Sequence, residues 1–396
     1  MRVVHVIGTL DPAAGGPPMV ASRLAGAQAG LGRDVHVLCY ADPGRQKDVD
    51  EAMAGLPHFE KVKVHPVTAN GHVERVAARQ AAGAMAELLS DSQPTILHLH
   101  GVWEAILRAA AKVARKAGKP YAVAPHGMLD PWSLQQKAMK KRIALTLGYR
   151  RMLDEAAFLH TLNQDEQSLI APLNLKSRCE VIPNGVFLEE IDPLPQAGSF
   201  RSARPELGDS PYVLFLSRLH YKKGLDRLAA GFTELAKRCD KIHLVVAGPD
   251  GGEQSMLEQR VRDAGLDGRV HLTGPLWGKD KLAAMVDSAC FCLPSRQEGF
   301  SVAITEAMAC GRPVVITDAC HFPEVAEVQA GCVVTLNDDD SAGSANTLAE
   351  ALHSVLTDSD QAASMGAAGR ELIETRFTWP KIAELSINCY ERAMNG

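Results

Sequence analysis

The chain has 396 residues, too many for one ordinary hydrophobic core, so length alone favours two or three domains. Hydrophobic residues make up 46% and charged residues 22%, the balance of a soluble globular enzyme, and no apolar run approaches the ~18 residues that span a bilayer. Net charge is −5, split as 22 Lys/Arg against 19 Asp/Glu (+3) in residues 1–190 and 20 against 28 (−8) beyond them, a distribution that argues against nucleic-acid binding.

The N-terminus, MRVVHVIGTL, has one basic residue and no small-residue cleavage site. It reads as a first strand, residues 2–8, rather than a signal peptide. The nine cysteines are odd in number and scattered, with Cys290, Cys292 and Cys310 in apolar surroundings. That fits buried thiols in a cytoplasmic protein, not a disulfide framework. A Gly/Pro loop, residues 11–18, precedes a helix over 20–31 and a strand over 35–38. Gly15 and Gly16 therefore sit before a helix N-terminus, either facing a ligand or forming a flexible surface turn. Without GxGxxG and a following acidic residue, the dinucleotide reading is weak.

Residues 95–100, TILHLH, read as a buried strand with His98 and His100 on one face. The pair reads as a core histidine and a site-edge histidine before it reads as metal ligands. His126-Gly127 follows the strand 121–125 at its C-terminal end, where open α/β sheets place their sites. Residues 134–153 form a basic amphipathic helix, or two short ones around Gly148. Lys137, Lys140, Lys141, Arg142, Arg150 and Arg151 there suit an anionic membrane surface, an anionic acceptor or simply a solvated face.

Residues 187–211 are rich in Pro, Gly, Ser and charge and read as a linker. Alternation of strand and helix then restarts: strands 212–217, 242–247 and 270–272, with helices 224–237, 253–264 and 279–287 between and after them. A strand over 289–293, a polar turn, a helix and a strand over 313–317 follow, and a helix over 378–394 ends the pattern. Two such βα series of about 180 residues each predict two doubly wound, Rossmann-like domains with parallel sheets facing a central cleft. The expected limits are 1–195, with 378–396 packing back on it, and 205–377.

Three clusters in the second half carry chemistry. Ser217-Arg218 with Lys223-Gly224 places two cations in a loop before a helix, an arrangement suited to a diphosphate. Gly248 and the run from His271 to Leu276 mark strand-end turns able to bracket a flat base. Glu298 and Glu306 lie eight residues apart, roughly 12 Å along a helix, too far for an acid/base pair at about 5 to 10 Å. They match two ends of an elongated ligand, or else one caps the helix and the other is solvated. The triplet 338–340, DDD, reads as a solvated turn rather than a metal site.

Taken together, Pro125-His126-Gly127, the run 182–186 (IPNGV), Ser217-Arg218 with Lys223-Gly224, the run from Glu298 to Glu306 (EGFSVAITE) and the run 311–315 (GRPVV) resemble the signature of the retaining GT-B glycosyltransferases of family 4, the glycosyl transferases group 1, of bacterial polysaccharide type. The resemblance covers essentially the whole chain. It implies a retaining hexosyltransferase (EC 2.4) that moves a hexose-type sugar from a UDP-, GDP- or ADP-sugar to an acceptor hydroxyl. The implied acceptor is a lipid-linked glycan or polysaccharide of the cell surface. No cofactor and no metal are implied, and the location is cytoplasmic or peripheral on the inner face of the plasma membrane. Arg218 and Lys223, beside Ser217, would hold the diphosphate, and Glu306 the donor ribose. Glu298 would face the sugar, with backbone amides from Gly299, Phe300, Ser301 and Val302. Gly15 and Gly16 would approach the phosphates, Gly248 and Leu276 the base, and His126 the transferred sugar. Asn163 would line the acceptor side, and Asn184 is structural. A nucleotide-sugar epimerase and a non-catalytic sugar-nucleotide binding module are the alternatives.

Overall fold

The computed structural model describes residues 1–68, 74 and 76–395, the Trp132 side chain apart. The chain divides into two compact units, residues 1–184 with 379–396, and residues 185–378. Residues 185–195, expected with the first domain, thus belong to the second unit, where Val186 N donates to Phe377 O at 2.9 Å.

The first unit holds seven parallel strands: β1 (Arg2–Val6), β2 (Asp34–Ala41), β3 (Lys63–Thr68), β4 (Thr95–His100), β5 (Tyr121–Ala124), β6 (Phe158–Thr161) and β7 (Cys179–Val181). Their order is β3-β2-β1-β4-β5-β6-β7, and Arg2 to Val6 of β1 pairs with Asp34 to Leu38 on one side and Thr95 to Leu99 on the other. The central strands are buried on both faces because helices cover both; every residue of β4 and β5 is buried, the histidines of β4 included. The second unit repeats the plan with β8 (Tyr212–Leu216), β9 (His243–Ala247), β10 (Val270–Gly274), β11 (Cys290–Leu293), β12 (Val314–Thr317) and β13 (Gly331–Val334), ordered β10-β9-β8-β11-β12-β13. In each sheet the order reverses once, between β1 and β4 and between β8 and β11, and a doubly wound sheet opens a crevice beyond the strand ends at such a reversal.

The presumed linker and β3 differ from expectation for identifiable reasons. The presumed linker carries the short helix Ser199–Ser202, whose start is held by Asp287: Gly198 N, Phe200 N and Arg201 N donate to its carboxylate at 2.6, 2.9 and 3.1 Å. Phe200 and Leu207 are buried in the second core, so two apolar anchors outweigh the Pro/Gly composition around them. β3, unassigned from sequence, is an edge strand with exposed Lys63, Val64 and Thr68 and a proline at position 66, which weakens the strand pattern.

The C-terminal helix, Trp379–Asn395, belongs to the first unit. Its Tyr390 and Ser386 are fully buried against Gln28 and His98.

Candidate functional site

The loop after β8 and the loop after β11 meet at the reversal point of the second sheet. Gly224 has φ 68°, and a Cβ there would stand 2.1 Å from the Pro294 carbonyl oxygen. Only glycine allows this approach. Arg296 locks the same two loops: its N–H donates to Lys222 O at 2.7 Å, and its guanidinium takes the Asp226 carboxylate with two 2.7 Å bonds. The loop geometry that presents Lys223 is therefore fixed from the β11 side.

Lys223 Nζ lies 2.6 and 2.8 Å from the two oxygens of Glu298, and Ser295 Oγ donates to Glu298 Oε1 at 2.7 Å. Ser295 and Glu298 are buried, whereas Lys223 is half-buried. Glu298 thus neither caps the helix nor lies in solvent. It orients the ammonium of Lys223, and the pair leaves Lys223 donor capacity for a further anion. Arg218 is exposed, and no ion pair engages it among the described residues.

The helix Val302–Ala309 starts directly after this pair, and its N-cap, Ser301, makes no side-chain capping bond. Ile304 N donates to Ser301 O at 3.2 Å, so the Val302 and Ala303 amides, with the positive dipole end, are the first-turn groups open to an anion. Glu306, one face further along, pairs with Lys281 Nζ at 2.7 Å. Lys281 lies in the helix Gly278–Asp287 and was not singled out from sequence. The second acid is therefore also held by a cation rather than solvated.

The remaining second-unit candidates have mixed positions. Ser217 and Gly248 face each other: a Cβ on Gly248, φ 150°, would lie 1.8 Å from Ser217 O, and Gly248 N donates to Gly274 O at 2.9 Å. Gly248 thus has a packing reason to be glycine. Leu276 is half-buried against the core, and the Phe300 ring packs tilted against Phe322 and Phe377 at ring separations of 5.6 and 6.2 Å, leaving its backbone as the part available to a ligand. The 338–340 triplet is an exposed turn, as expected, and two of its carboxylates also hold neighbours. Asp338 accepts from Arg227 at 2.9 Å and Arg296 at 3.0 Å, and Asp340 caps the helix Ser341–Thr357 through Gly343 N.

In the first unit the helix Gly16–Gly30 starts at Gly16, four residues earlier than expected. Pro17 and Pro18 occupy its first turn and carry no N–H, so Gly16 and Met19 alone supply the first-turn amides. His126 and Gly127 both adopt the left-handed region, φ 52° and 72°. A non-glycine residue there is uncommon and needs support from its surroundings. Glu166 gives that support: Gly127 N and Leu162 N donate to its two oxygens at 2.8 and 2.7 Å. Burial raises the Glu166 pKa, while these two amides work against the shift. Asn163, read as an acceptor-side residue, caps the helix Gln164–Ile170 by accepting from Glu166 N at 2.8 Å. The Asn163-x-x-Glu166 spacing is a capping-box pattern, and it was the available signal.

A cavity of about 750 Å³ opens beyond β1 and β4, lined among the described residues by Tyr40, Trp103, Glu104, Arg108, Lys140 and Tyr149 with apolar neighbours. Burial raises the Glu104 pKa, and its carboxylate accepts from Gly8 N. Trp103 Nε1 and Arg108 Nε are buried without a hydrogen-bond partner among the described residues. Reasoning from sequence passed over Trp103 and Glu104, although they follow β4 at the strand-order reversal.

The basic stretch is not one helix. It breaks into Pro131–Gln135, Ala138–Ala144, a wide turn over Leu145–Tyr149 kinked at Gly148, and Arg150–Asp154. Lys141 turns inward, donating to Ser133 and lying 5.3 Å over the Trp103 ring; Arg150 and Arg151 pair with Asp154 and Glu155. Lys137, Lys140 and Arg142 remain exposed beside Met139, Ile143 and Leu147, which are 74%, 53% and 61% exposed.

His5, His98 and His100 bring ring nitrogens within 4.8 Å of one another. His5 Nδ1 lies 2.8 Å from His100 Nε2, a hydrogen-bond distance and shorter than the about 3.3 Å between two nitrogens on one tetrahedral zinc. His98 uses both nitrogens, on Tyr390 OH at 2.6 Å and on His160 at 3.1 Å. These donor sets fit a hydrogen-bonded cluster better than a cation. No helix among the described residues is long and apolar enough to cross a membrane.

Comparison with known proteins agrees with this geometry. Residues 199–372 match the family described as glycosyl transferases group 1, and residues 15–185 match the glycosyl transferase 4-like domain. Several relatives carry the name GDP-mannose-dependent alpha-(1-6)-phosphatidylinositol monomannoside mannosyltransferase. That of Mycobacterium tuberculosis (strain CDC 1551 / Oshkosh) is 31% identical over 212 residues, 52% of this chain and about half, 53%, of the relative's own length. That of Mycolicibacterium smegmatis is 30% identical over 287 residues, 69% of this chain and 72% of the relative. Among solved structures, Anabaena Alr3699/HepE in complex with UDP superposes with a TM-score of 0.76 at 20% identity, covering 99% of this chain and 100% of the other. Both units carry the Rossmann-like parallel sheets of the GT-B fold, and the chain belongs to the glycosyl transferases group 1 family.

Proposed function

We propose that the chain is a retaining glycosyltransferase that moves a hexose-type sugar from a nucleoside-diphosphate sugar to an acceptor hydroxyl. One observation carries the reading. Two lysine–glutamate pairs, Lys223–Glu298 and Lys281–Glu306, flank the uncapped start of the helix Val302–Ala309. A diphosphate placed at that start meets the Lys223 ammonium and the open amides, with Arg218 as a second cation. Glu306, held by Lys281, accepts from the ribose hydroxyls, and Glu298 faces the sugar. In this reading the turns at Gly248 and Leu276 serve the base.

As the glycosidic bond breaks, negative charge grows on the leaving diphosphate. Lys223, Arg218 and the helix amides stabilise that charge, the term expected to contribute most. The leaving phosphate oxygen accepts the acceptor hydroxyl proton on the same face, so the anomeric configuration is retained. Fixed cations take the place of a divalent ion. The names of the two mycobacterial relatives support GDP-mannose as the first donor to test and a lipid-linked acceptor. The cavity with Trp103, Glu104, Arg108 and Lys140 suits that acceptor, and the exposed Met139, Ile143 and Leu147 among basic residues suit an anionic leaflet at the inner face of the plasma membrane.

Proton NMR of the product formed from GDP-, UDP- and ADP-sugars, with and without chelator, tests this. Acceptor-dependent transfer with retained configuration, unaffected by chelator, is expected. An inverted product sinks the same-face mechanism. A free epimer formed without acceptor favours an epimerase, and nucleotide binding without turnover favours a binding module.

A further inference from the structure

We propose that a buried hydrogen-bond chain through the first unit holds His126 in the Nε2–H tautomer, so that its Nδ1 lone pair is presented as an acceptor to a substrate hydroxyl. The inference rests on the reading of His126 as a substrate-facing residue. The chain itself follows from donor and acceptor roles alone.

It starts at a group that only accepts. The Ala383 carbonyl takes the Ser386 hydroxyl proton at 2.8 Å. Ser386 Oγ must then accept from Gln28, 2.8 Å away, which turns the Gln28 amide NH₂ toward the C-terminal helix and its carbonyl toward His5. Gln28 Oε1 lies 2.9 Å from His5 Nε2, so His5 carries its proton there. A neutral His5 then accepts at Nδ1, and His100 Nε2, at 2.8 Å, donates. A neutral His100 accepts at Nδ1, and His126 Nε2, at 3.1 Å, donates. His126 is left with a lone pair on Nδ1.

A second carbonyl gives an independent check. Ile182 O lies 2.6 Å from His160 Nε2, which must donate. His160 Nδ1 therefore accepts from His98 Nε2 at 3.1 Å, and His98 Nδ1 accepts the Tyr390 hydroxyl proton at 2.6 Å. Tyr390 oxygen is then free to accept from the Gln28 NH₂ at 3.2 Å. The two arms meet at Gln28 without conflict, and all five histidines come out as Nε2–H. A single inverted ring would leave two N–H groups, or two lone pairs, facing each other in a buried site, which is costly. His5, His98, His100 and His160 are fully or almost fully buried, and desolvation lowers their pKa values, consistent with the neutral forms the chain requires. His126 keeps part of its edge accessible, yet desolvation lowers its pKa too.

Gln28, His5 and His100 are thus positioning residues: they act on substrate through His126. None is adjacent in sequence to the Pro125-His126-Gly127 motif.

Nitrogen-15 NMR of the full chain labelled at histidine, assigned by single substitutions and recorded at neutral pH, reads the tautomers without any substrate. All five as neutral Nε2–H is expected. Any one of them as Nδ1–H, charged, or shifted by a bound metal that a chelator removes would overturn the chain. Gln28→Met, similar in volume, removes the anchor of His5 and should mix the tautomers of His5, His100 and His126, while Ser386→Ala, which leaves the Gln28–Tyr390 bond, should not. If Gln28→Met does not fold, the wild-type tautomers still decide. In transfer assays Gln28→Met should lower kcat about tenfold with KM little changed. Unchanged kcat alongside confirmed tautomers would refute the substrate-facing role of His126 and leave the chain standing.

Discussion

Five buried or half-buried histidines set the response of the first unit to acid. His5 and His160 are lowered to about 4, and His98, His100 and His126 are also lowered, in each case chiefly by desolvation. The unfolded chain then binds more protons than the folded one once pH falls below the ordinary value of about 6.5. The stability these groups contribute is complete above that value and is lost as pH falls toward 4, at about 1.4 kcal/mol per pH unit for each histidine kept neutral. His36, His65, His243 and His271 are lowered as well and act in the same direction. Glu104 and Glu166, raised by burial, act in the opposite sense, but they are two against nine. Urea unfolding followed between pH 7 and pH 5 should show a midpoint that falls steadily as pH is lowered. A midpoint that holds constant would contradict neutral buried imidazoles.

At the level of elements, the broken stretch from Pro131 to Asp154 matters because its kinks decide which side chains face out. Gly148 and Lys137 interrupt it, Lys141 turns inward, and Lys137, Lys140 and Arg142 stay exposed beside three exposed apolar residues. Each basic residue near an anionic leaflet is worth about 1 kcal/mol. Replacing the three by Lys137→Glu, Lys140→Glu and Arg142→Glu should therefore reduce flotation with vesicles of anionic lipid on the order of 100-fold or more. Flotation equal to the parent chain would remove this surface from the account. The same stretch shows what sequence conveys. Its amphipathic character was legible, because periodicity is local. So was its kink at Gly148, but the break at Lys137 was not, since Lys137 adopts positive φ through its tertiary setting. Glu298 and Glu306 were legible in the same way, as acids around one helix. Their partners Lys223 and Lys281 lie 75 and 25 residues away, and the pairings follow only from sheet order. Glu166 and Trp103 were missed although local signals existed: a capping box for one and a strand end at a reversal for the other.

For the molecule as a whole, alternating strands and helices with buried central strands were enough to give two Rossmann-like units. The C-terminal helix was legible as a helix after position 378, whereas its place in the first unit follows from its contacts with Gln28 and His98. Legibility ended at residues 187–211, where Phe200, Leu207 and the Asp287 cap bind a Pro/Gly-rich segment to the second unit. The central claim is that this second unit holds a nucleoside diphosphate by its phosphates near Lys223 and by its ribose at Glu306. Calorimetric titration of GDP, UDP and ADP into the full chain and into Glu306→Ala tests it most directly. The account predicts that the parent chain binds at least one of the three. Losing a charged hydrogen-bond acceptor worth about 1.5–3 kcal/mol should weaken that binding by roughly 10- to 100-fold in Glu306→Ala. Equal affinity in the two proteins, or binding of none of the three nucleotides by the parent chain, would contradict it.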